Sequence, residues 1–306
     1  MRFGGHETFA IREGWLARGL DLLESNPQAL SDDFAEDQLG VGKNMAKSIR
    51  HWVVATGLAE RQGSSRGKTG TFAITDFGQL LWERDRHFLD PATWWMIHIN
   101  LVNTPEHAES WDWFFNNWNH RRFDKAVCVE NLRRFIIVNN RRCPNIRTLD
   151  RDIGCLLASY SRSMPAARID PEDASESPLQ ELGLLNHFRG SGYYKLVEGH
   201  KDIPASVFGY CVSRALHGED GPDEFSLTEL ERMRGGPGRA FGINAEAIYD
   251  LVNKYVANGY GAMFRVTGLA GQRVIRIHLR GSSLGTENGS LDWAKLAHDK
   301  KKRTAA

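Results

Sequence analysis

His6 and Glu7, directly after the Gly4-Gly5 turn, are the neighbouring residues in this sequence best suited to chemistry. A histidine and a carboxylate close to Arg12 can bind a divalent cation or move a proton at a phosphodiester. The pair therefore predicts a catalytic and metal-binding site at the N-terminus. The alternative, which the residue types alone favour, is a His–Glu hydrogen bond that anchors the N-terminal arm.

Asp150 and Asp152, in the segment TLDRDIGCLL, are the second catalytic candidates. Residues two apart on a helix do not face each other, so we expect their carboxylates on different sides of the helix. Thr148 as the helix N-cap would give Asp150 a purely structural place in the first turn. No nuclease motif of the PD-ExK, HNH or GIY type is recognisable, so a nuclease site is permitted rather than indicated.

A helix-turn-helix with a two-stranded wing is predicted over residues 39–75. A short helix over residues 31–37, with Ser31 as its N-cap, precedes a longer one that ends at Gly57. The longer helix has apolar residues at i, i+4, i+8, i+11 and i+12, which share one face: Val41, Met45, Ile49, Trp52 and Val53. Two short apolar segments around GSSRGKTG predict the wing.

The opposite face of that helix and the wing tip are basic. Residues 41–72 contain six lysines and arginines against one acid, Glu60. Such a face can contact phosphates and guanine edges, and an asparagine can pair with adenine. The predicted DNA-binding residues here are Lys43, Asn44, Lys47, Arg50, His51, Arg66 and Lys68. The alternative is a winged helix with a structural or protein-binding role.

The middle of the chain is predicted to be almost wholly helical. One helix begins with Asp90 as N-cap and Pro91 in the first turn, and six of the nine tryptophans lie between Trp82 and Trp118. Their helical spacing favours an aromatic core over a base-stacking platform. Eight arginines between Arg121 and Arg151 form a second basic stretch. These arginines are equally suited to phosphates or to acids elsewhere in the chain.

The C-terminal part repeats the order of helix, glycine-rich turn, helix and hairpin. Helices are predicted over residues 203–216, 226–233 and 244–258, with RGGPGRAFGI as a turn and AMFRVTG and QRVIRIHL as a hairpin. The predicted DNA-binding residues of this module are Arg239, Arg265 and Arg273. The fold class is therefore mainly α, with an N-terminal winged helix-turn-helix, a central helical bundle and a C-terminal winged-helix-like module.

The composition places limits on these interpretations. With 39 basic and 38 acidic residues the net charge is +1, so DNA binding has to come from local patches. Four scattered cysteines without a CxxC pair, no apolar run near 18 residues and no signal peptide predict a reduced cytoplasmic protein without a membrane span. The predicted division is residues 1–85, 86–163, a linker over 164–178, 179–285, and a basic tail over 286–306.

Six segments resemble the domain-of-unknown-function family 4007, in the same order: FGGHETFAIREGWL, LGVGKNMAKSIRHW, DPATWWMIHINL, WDWFFNNW, TLDRDIGCLL and SPLQELGLL. The resemblance spans about residues 3–185. It implies a role in the DNA phosphorothioation systems of the Ssp type, which defend bacteria against phages, with nicking of double-stranded DNA before sulfur enters the backbone. It also implies three partners: a cysteine desulfurase, a phosphoadenosine-phosphosulfate-reductase-like protein and an ATPase.

The first hypothesis is therefore a DNA nickase that needs a divalent metal, with magnesium as the expected ion. The second is a non-enzymatic winged-helix regulator, and the third is a scaffold whose basic faces meet acidic partners.

Overall fold

The computed structural model describes residues 3–31, 35–63, 70–164, 177–216, 223–269, 272–278, 284 and 286–299. The chain is mainly helical, with small sheets, and it divides into two compact units. Unit 1 contains Met1–Asp90 and Thr104–Val197, and unit 2 contains Pro91–Asn103 and Glu198–Ala306. The mainly α fold class is therefore confirmed.

The N-terminal half of unit 1 is a group of helices with a hairpin. Helices α1 (Trp15–Ser25), α2 (Ala35–Leu39) and α3 (Lys43–Ala55) are followed by strands β1 (Ala59–Gln62) and β2 (Thr71–Ile74) and by α4 (Asp76–Arg84). Gly40, at φ 64°, turns the chain between α2 and α3, and Gly57, at φ 76°, follows the end of α3. A side chain would strain both conformations, which explains the two glycines.

Two details of the predicted helix-turn-helix need correction or lie outside the described residues. Ser31 ends a 3-10 turn (Ala29–Ser31) and is not a helix N-cap as predicted; the short helix is present, but it spans Ala35–Leu39 and overlaps the predicted range only at residues 35–37. Just before the 3-10 turn, the Asn26 side chain accepts a hydrogen bond from the Gln28 N–H. The wing tip with Arg66 and Lys68 lies outside the described residues.

The second half of unit 1 combines three long helices with a small sheet. The helices are α6 (Pro105–Asn117), α7 (Lys125–Val138) and α8 (Ile146–Tyr160). The strands β3 (Arg122–Phe123), β4 (Ser161–Met164), β5 (Leu185–Phe188) and β6 (Tyr193–Leu196) form a sheet in the order β3-β6-β5-β4. Asn145 caps α8, not Thr148 as predicted, because the asparagine oxygen reaches the Arg147 N–H.

Unit 2 is built around α5 (Pro91–Val102) and the C-terminal helices. These are α9 (Ala205–Ala215), α10 (Leu227–Arg232), α11 (Pro237–Phe241), α12 (Ala245–Tyr255) and α13 (Glu287–Ala297). Strands β7 (Glu224–Ser226), β8 (Phe264–Leu269) and β9 (Gln272–Ile277) pair in the order β7-β9-β8. Three predictions for this part differ from the structure: α11 lies within the predicted turn, β7 was not predicted, and a π-helical turn (Val256–Tyr260) ends the last of the predicted helices.

The tryptophan-rich segment belongs to two cores rather than one. Trp94 and Trp95 are buried on α5 in unit 2, whereas Trp111, Trp113 and Trp118 are buried in unit 1. Their burial confirms that these tryptophans are core residues. No helix in the described ranges is long and apolar enough to cross a membrane.

A close contact between α9 and α13 gives a stability prediction for unit 2. A Cβ atom on Gly209 would lie 2.4 Å from the ring of Trp293, which is fully buried. We expect Gly209→Ala to lower the free energy of unfolding by about 1–3 kcal/mol, since a packed core cannot make room for another methyl group. Thermal denaturation checks this, with Gly268→Ala as control because nothing lies within 4 Å of its Cβ position. Equal stability of both variants would contradict the prediction.

Candidate functional site

Asp152 is the centre of a buried polar cluster in unit 1. Its Oδ1 accepts from the Gly4 N–H at 2.7 Å and lies 3.1 Å from His6 Nε2, and its Oδ2 accepts from the Ser110 hydroxyl at 3.1 Å. We call His6, Ser110, Asp152 and the Gly4 amide the polar cluster. It joins the N-terminal turn to α6 and α8, which come from distant parts of the sequence.

The hydrogen bonds fix the tautomer of His6. The Thr8 N–H donates to Nδ1 at 3.1 Å, so Nδ1 carries no proton and Nε2 carries the one that points at Asp152. Both ring nitrogens are therefore engaged. Since His6 and Asp152 are each 2% exposed, a substrate in solvent does not reach either side chain in this conformation.

Aromatic rings enclose the imidazole of His6. The ring of Trp52 on α3 stacks on it with centroids 5.9 Å apart, and Trp111 on α6 meets it edge-on at 5.8 Å. The Trp52 indole N–H in turn donates to the Phe9 carbonyl at 3.0 Å. The N-terminal turn is thus held against α3 by stacking and by hydrogen bonds together.

The backbone of the N-terminal turn is strained. Glu7 and Thr8 have φ values of 49° and 73°, a region that side-chain-bearing residues rarely occupy and that a β-branched threonine disfavours most. Gly5 leaves no room for a side chain, because its Cβ would lie 2.5 Å from His51 Nδ1. Strain of this kind persists only where surrounding contacts hold it, and it is common at functional sites.

The structure brings two of the four catalytic candidates together and separates the other two. His6 and Asp152 pair directly, so the expected His6–Glu7 hydrogen bond is replaced by a His6–Asp152 one. Glu7 faces outward, with its carboxylate 3.9 Å from Lys47 Nζ on α3. Asp150 pairs with Lys125 at 2.8 Å on the other side of α8, which confirms that the two aspartates face different ways.

The donor set around the N-terminal turn sets limits on a metal ion. Magnesium takes oxygen ligands and keeps several waters. Asp152 already accepts three hydrogen bonds and His6 uses both nitrogens, so neither fits as a ligand in this arrangement. Glu7 does fit, because it offers carboxylate oxygens on a side chain that is 37% exposed. In the described part of the chain, no three His, Cys, Asp or Glu side chains are grouped as a metal-binding set.

The predicted DNA-binding face of α3 is only partly as expected. Lys43 and Asn44 are exposed and Lys47 is half-exposed, as predicted. Arg50 is half-buried and donates to the Leu30 carbonyl at 3.3 Å. The prediction that His51 lies on the outer side was wrong: it is 5% exposed, because the N-terminal turn covers that end of the helix face.

In unit 2 the predicted cations lie on the hairpin and on α11. Arg265 and Arg273 are exposed on β8 and β9, and Arg273 lies over the Tyr249 ring at 4.0 Å. Arg239 is half-buried on α11. The exposed face of α12 contains the acids Glu246 and Asp250, so this helix does not present a purely basic face.

Much of the second basic stretch pairs with acids. Arg133 and Arg134 contact Glu130, and Arg141 contacts the buried Glu109 at 2.7 Å. Burial raises the pKa of Glu109, and the positive charge of Arg141 opposes that rise. Arg142, Arg147 and Arg151 are exposed and make no ion pair with the described residues. Some of these arginines therefore pair with acids of the chain, whereas others remain available for phosphates.

Ser110 and Trp111 were missed as site residues. Their segment, AESWDWFF, was predicted to be core because of its aromatic residues, and the polar residues between them were the available signal. Glu109, Ser110 and Asp112 are all buried on α6, beside a kink at Ala108. Buried polar residues on an aromatic helix indicate partners from elsewhere in the fold.

Comparison with known proteins gives a consistent result. A search of curated proteins finds no significant match. A magnesium ion-bound crystal structure of SspB matches with a TM-score of 0.83 and 27% identity, covering 99% of this chain and 88% of that one. A second SspB crystal structure matches with a TM-score of 0.81 over the same shares. The family model "Protein of unknown function (DUF4007)" matches residues 3–287, and the chain therefore belongs to the DUF4007 family.

Proposed function

We propose that this protein binds double-stranded DNA and nicks one strand, as a component of a DNA phosphorothioation system. The similarity to SspB over 99% of the chain supports membership of such a system. The family resemblance suggests the nicking step, and with it a cysteine desulfurase, a reductase-like protein and an ATPase as partners. The observation that carries the site is the position of Glu7, next to Lys47 on the basic face of α3.

The element order supports two winged-helix modules that hold the duplex. In unit 1, α1, α2, α3, β1 and β2 follow each other as in a winged helix-turn-helix, and α3 presents its N-terminal cations. In unit 2, α9, β7, α10, α12, β8 and β9 have the corresponding order, with β7 pairing with β9. We assign base and phosphate contacts to Lys43, Asn44 and Lys47, and phosphate contacts to Arg265 and Arg273.

Glu7 is the carboxylate we assign to the metal. Magnesium sites on phosphodiesters are commonly held by one or two carboxylates together with the phosphate oxygens of the substrate. The ion supplies a Lewis acid that stabilises negative charge on the phosphate. Lys47 attracts the phosphate towards the carboxylate, and the φ values of Glu7 and Thr8 turn the Glu7 side chain towards α3. His6 and Asp152 act as positioning residues, since they hold the turn from beneath.

A plasmid assay tests this function. Purified protein with supercoiled plasmid and magnesium is expected to produce open circles, and a chelator is expected to stop the reaction. We expect Glu7→Gln to slow nicking at least tenfold, because the amide is a poorer magnesium ligand than the carboxylate. The matched control is Glu60→Gln, at an exposed glutamate of β1 in the same unit. The measurement is the initial rate of open-circle formation on an agarose gel.

The outcomes separate the hypotheses. Equal rates for Glu7→Gln and the parent would contradict the assignment of Glu7 to the metal but not the nicking activity itself. If no metal supports nicking while duplex DNA is still bound, the non-enzymatic regulator is correct. Failure to bind duplex DNA at all would contradict the whole proposal, and the scaffold that meets acidic partners would be the remaining hypothesis.

A further inference from the structure

The sheet β3-β6-β5-β4 in unit 1 has one buried and one exposed face. On the inner face Phe123 and Leu185 are buried, and Phe123 packs edge-on against Trp118 with centroids 4.8 Å apart. Residues paired across strands share a face. The register therefore assigns seven residues to the opposite side, here called the outer face: Arg122, Arg162, Met164, Asn186, Phe188, Tyr193 and Lys195.

Large apolar side chains are exposed at the end of the outer face that adjoins the β5–β6 turn. Phe188 lies opposite Tyr193 across the β5–β6 hairpin and opposite Met164 on β4. Their exposed fractions are 36%, 38% and 38%. Residues 189–192 close the hairpin, with Gly192 at φ 71° and its N–H donating to the Phe188 carbonyl at 2.9 Å. The two aromatic residues therefore occupy directly opposite positions on neighbouring strands, which a tight turn joins.

Positive charge surrounds these rings. Arg122 is paired in register with Lys195, although like charges directly opposite each other destabilise a sheet. The Arg122 guanidinium lies over the Tyr193 ring at 4.5 Å. The outer face has no acid at any register position, and among the described residues Arg162 is the outer-face cation with an ion-pair partner, Glu181 at 2.9 Å.

We propose that the outer face binds single-stranded DNA. Unpaired bases expose their π-faces, and aromatic side chains on a basic surface stack with them whatever their sequence. Guanidinium groups beside such rings can stack on bases as well as contact phosphates. The unfavourable pair Arg122 and Lys195 is explained if an anionic backbone crosses it. Phe188 and Tyr193 take the bases, and Arg122 and Lys195 take the phosphates.

The position of these rings on the face of a sheet favours single strands over duplex. A duplex hides its base faces in the stack, and its major groove accepts a helix or a two-stranded ribbon rather than the face of a sheet. A nick frees a strand end whose bases can leave the stack. The outer face would hold that released strand, so the inference rests on the proposed function and gives it a second, separate DNA site.

Two variants test the aromatic part. Binding of a fluorescent oligothymidine and of a fluorescent duplex is measured by anisotropy with the full-length protein. Each stacked base lost costs about tenfold to a hundredfold in affinity, so we expect Phe188→Ala/Tyr193→Ala to lose at least tenfold for the oligothymidine and little for the duplex. Tyr193→Phe should bind like the parent. The matched control is Leu89→Ala/Val138→Ala, at exposed apolar residues elsewhere in unit 1.

A charge variant tests the phosphate contacts. For Arg122→Gln/Lys195→Gln, the slope of log affinity against log salt should fall by about 1.4, since each single-strand phosphate contact contributes about 0.7. The inference is overturned if the aromatic variant binds oligothymidine like the parent, or if the control variant loses as much affinity as the aromatic variant. Polyglutamate is tested as a competitor of the labelled oligothymidine. If it competes as strongly as unlabelled oligothymidine, the outer face binds an acidic protein partner and the inference is overturned. If the protein binds the duplex but not oligothymidine, the inference is overturned and the proposed function is not. Failure to bind either DNA overturns the proposed function too.

Discussion

Asp152→Ala is expected to lower the free energy of unfolding of unit 1 by roughly 3–5 kcal/mol. The change leaves the Gly4 N–H, the Ser110 hydroxyl and the His6 Nε2–H buried without an acceptor. Each buried polar group that loses its partner costs about 1–3 kcal/mol. Chemical denaturation followed by tryptophan fluorescence is a suitable measurement, because Trp52 and Trp111 contact the His6 ring and report on this place.

Asp150→Ala is the matched control, two residues away on the same helix. Asp150 is 54% exposed and its partner Lys125 is 38% exposed, and exposed ion pairs contribute between zero and about 1 kcal/mol. The two alanine variants should therefore differ in stability by more than 2 kcal/mol. If they are equally stable, the hydrogen bonds of the polar cluster do not contribute to the free energy of unfolding and do not hold the N-terminal turn.

The same comparison decides what His6 and Asp152 do for activity. If they are positioning residues, as proposed, nicking should be lost in Asp152→Ala together with the order of the N-terminal turn, which hydrogen exchange at residues 4–9 can follow. If they act directly on substrate, the rate should fall while these amides stay protected. A turn that opens to expose His6 would also appear in the exchange rates of the parent protein.

The sequence identified His6 and Asp152 separately but could not pair them. Spacing along one helix is local information, so the opposite directions of Asp150 and Asp152 were predicted correctly. The bond between His6 and Asp152 joins residues 146 positions apart and depends on how three helices pack. No periodicity within a segment contains that information. The neighbouring Glu7 was the natural partner for His6, and a strained backbone turns it away.

Helix α3 is a second case in which a local sequence pattern did not reveal a contact with another part of the chain. The apolar stripe correctly placed Ile49, Trp52 and Val53 in the core. It could not reveal that the N-terminal turn covers His51, because a helical wheel gives the direction of a side chain and not what lies beyond it. The sheet β3-β6-β5-β4 was missed for a related reason. Its strands have two to four residues, and β3 pairs with a strand about 70 positions away.

The double variant Lys43→Ala/Lys47→Ala is expected to weaken duplex binding roughly fifty-fold at about 0.1 M salt. Each phosphate contact to B-DNA contributes a slope of about 0.9 in log affinity against log salt, so two lost contacts reduce the slope by about 1.8. Both lysines lie on the outer side of α3, and within the described ranges the ion-pair partner of Lys47 is Glu7 at 3.9 Å. Anisotropy titrations of a labelled duplex at several salt concentrations measure both quantities.

Arg50 is left out of this variant because it holds the Leu30 carbonyl, and its loss would mix folding with binding. Arg142→Ala/Arg151→Ala is the charge-matched control, since it removes two exposed cations of the same unit that do not belong to α3: Arg151 is on α8 and Arg142 is in the segment between α7 and α8. A general attraction of DNA to positive charge would reduce binding in both double variants alike. A contact made by α3 itself reduces it in the lysine variant alone, and only that result supports α3 as the recognition helix.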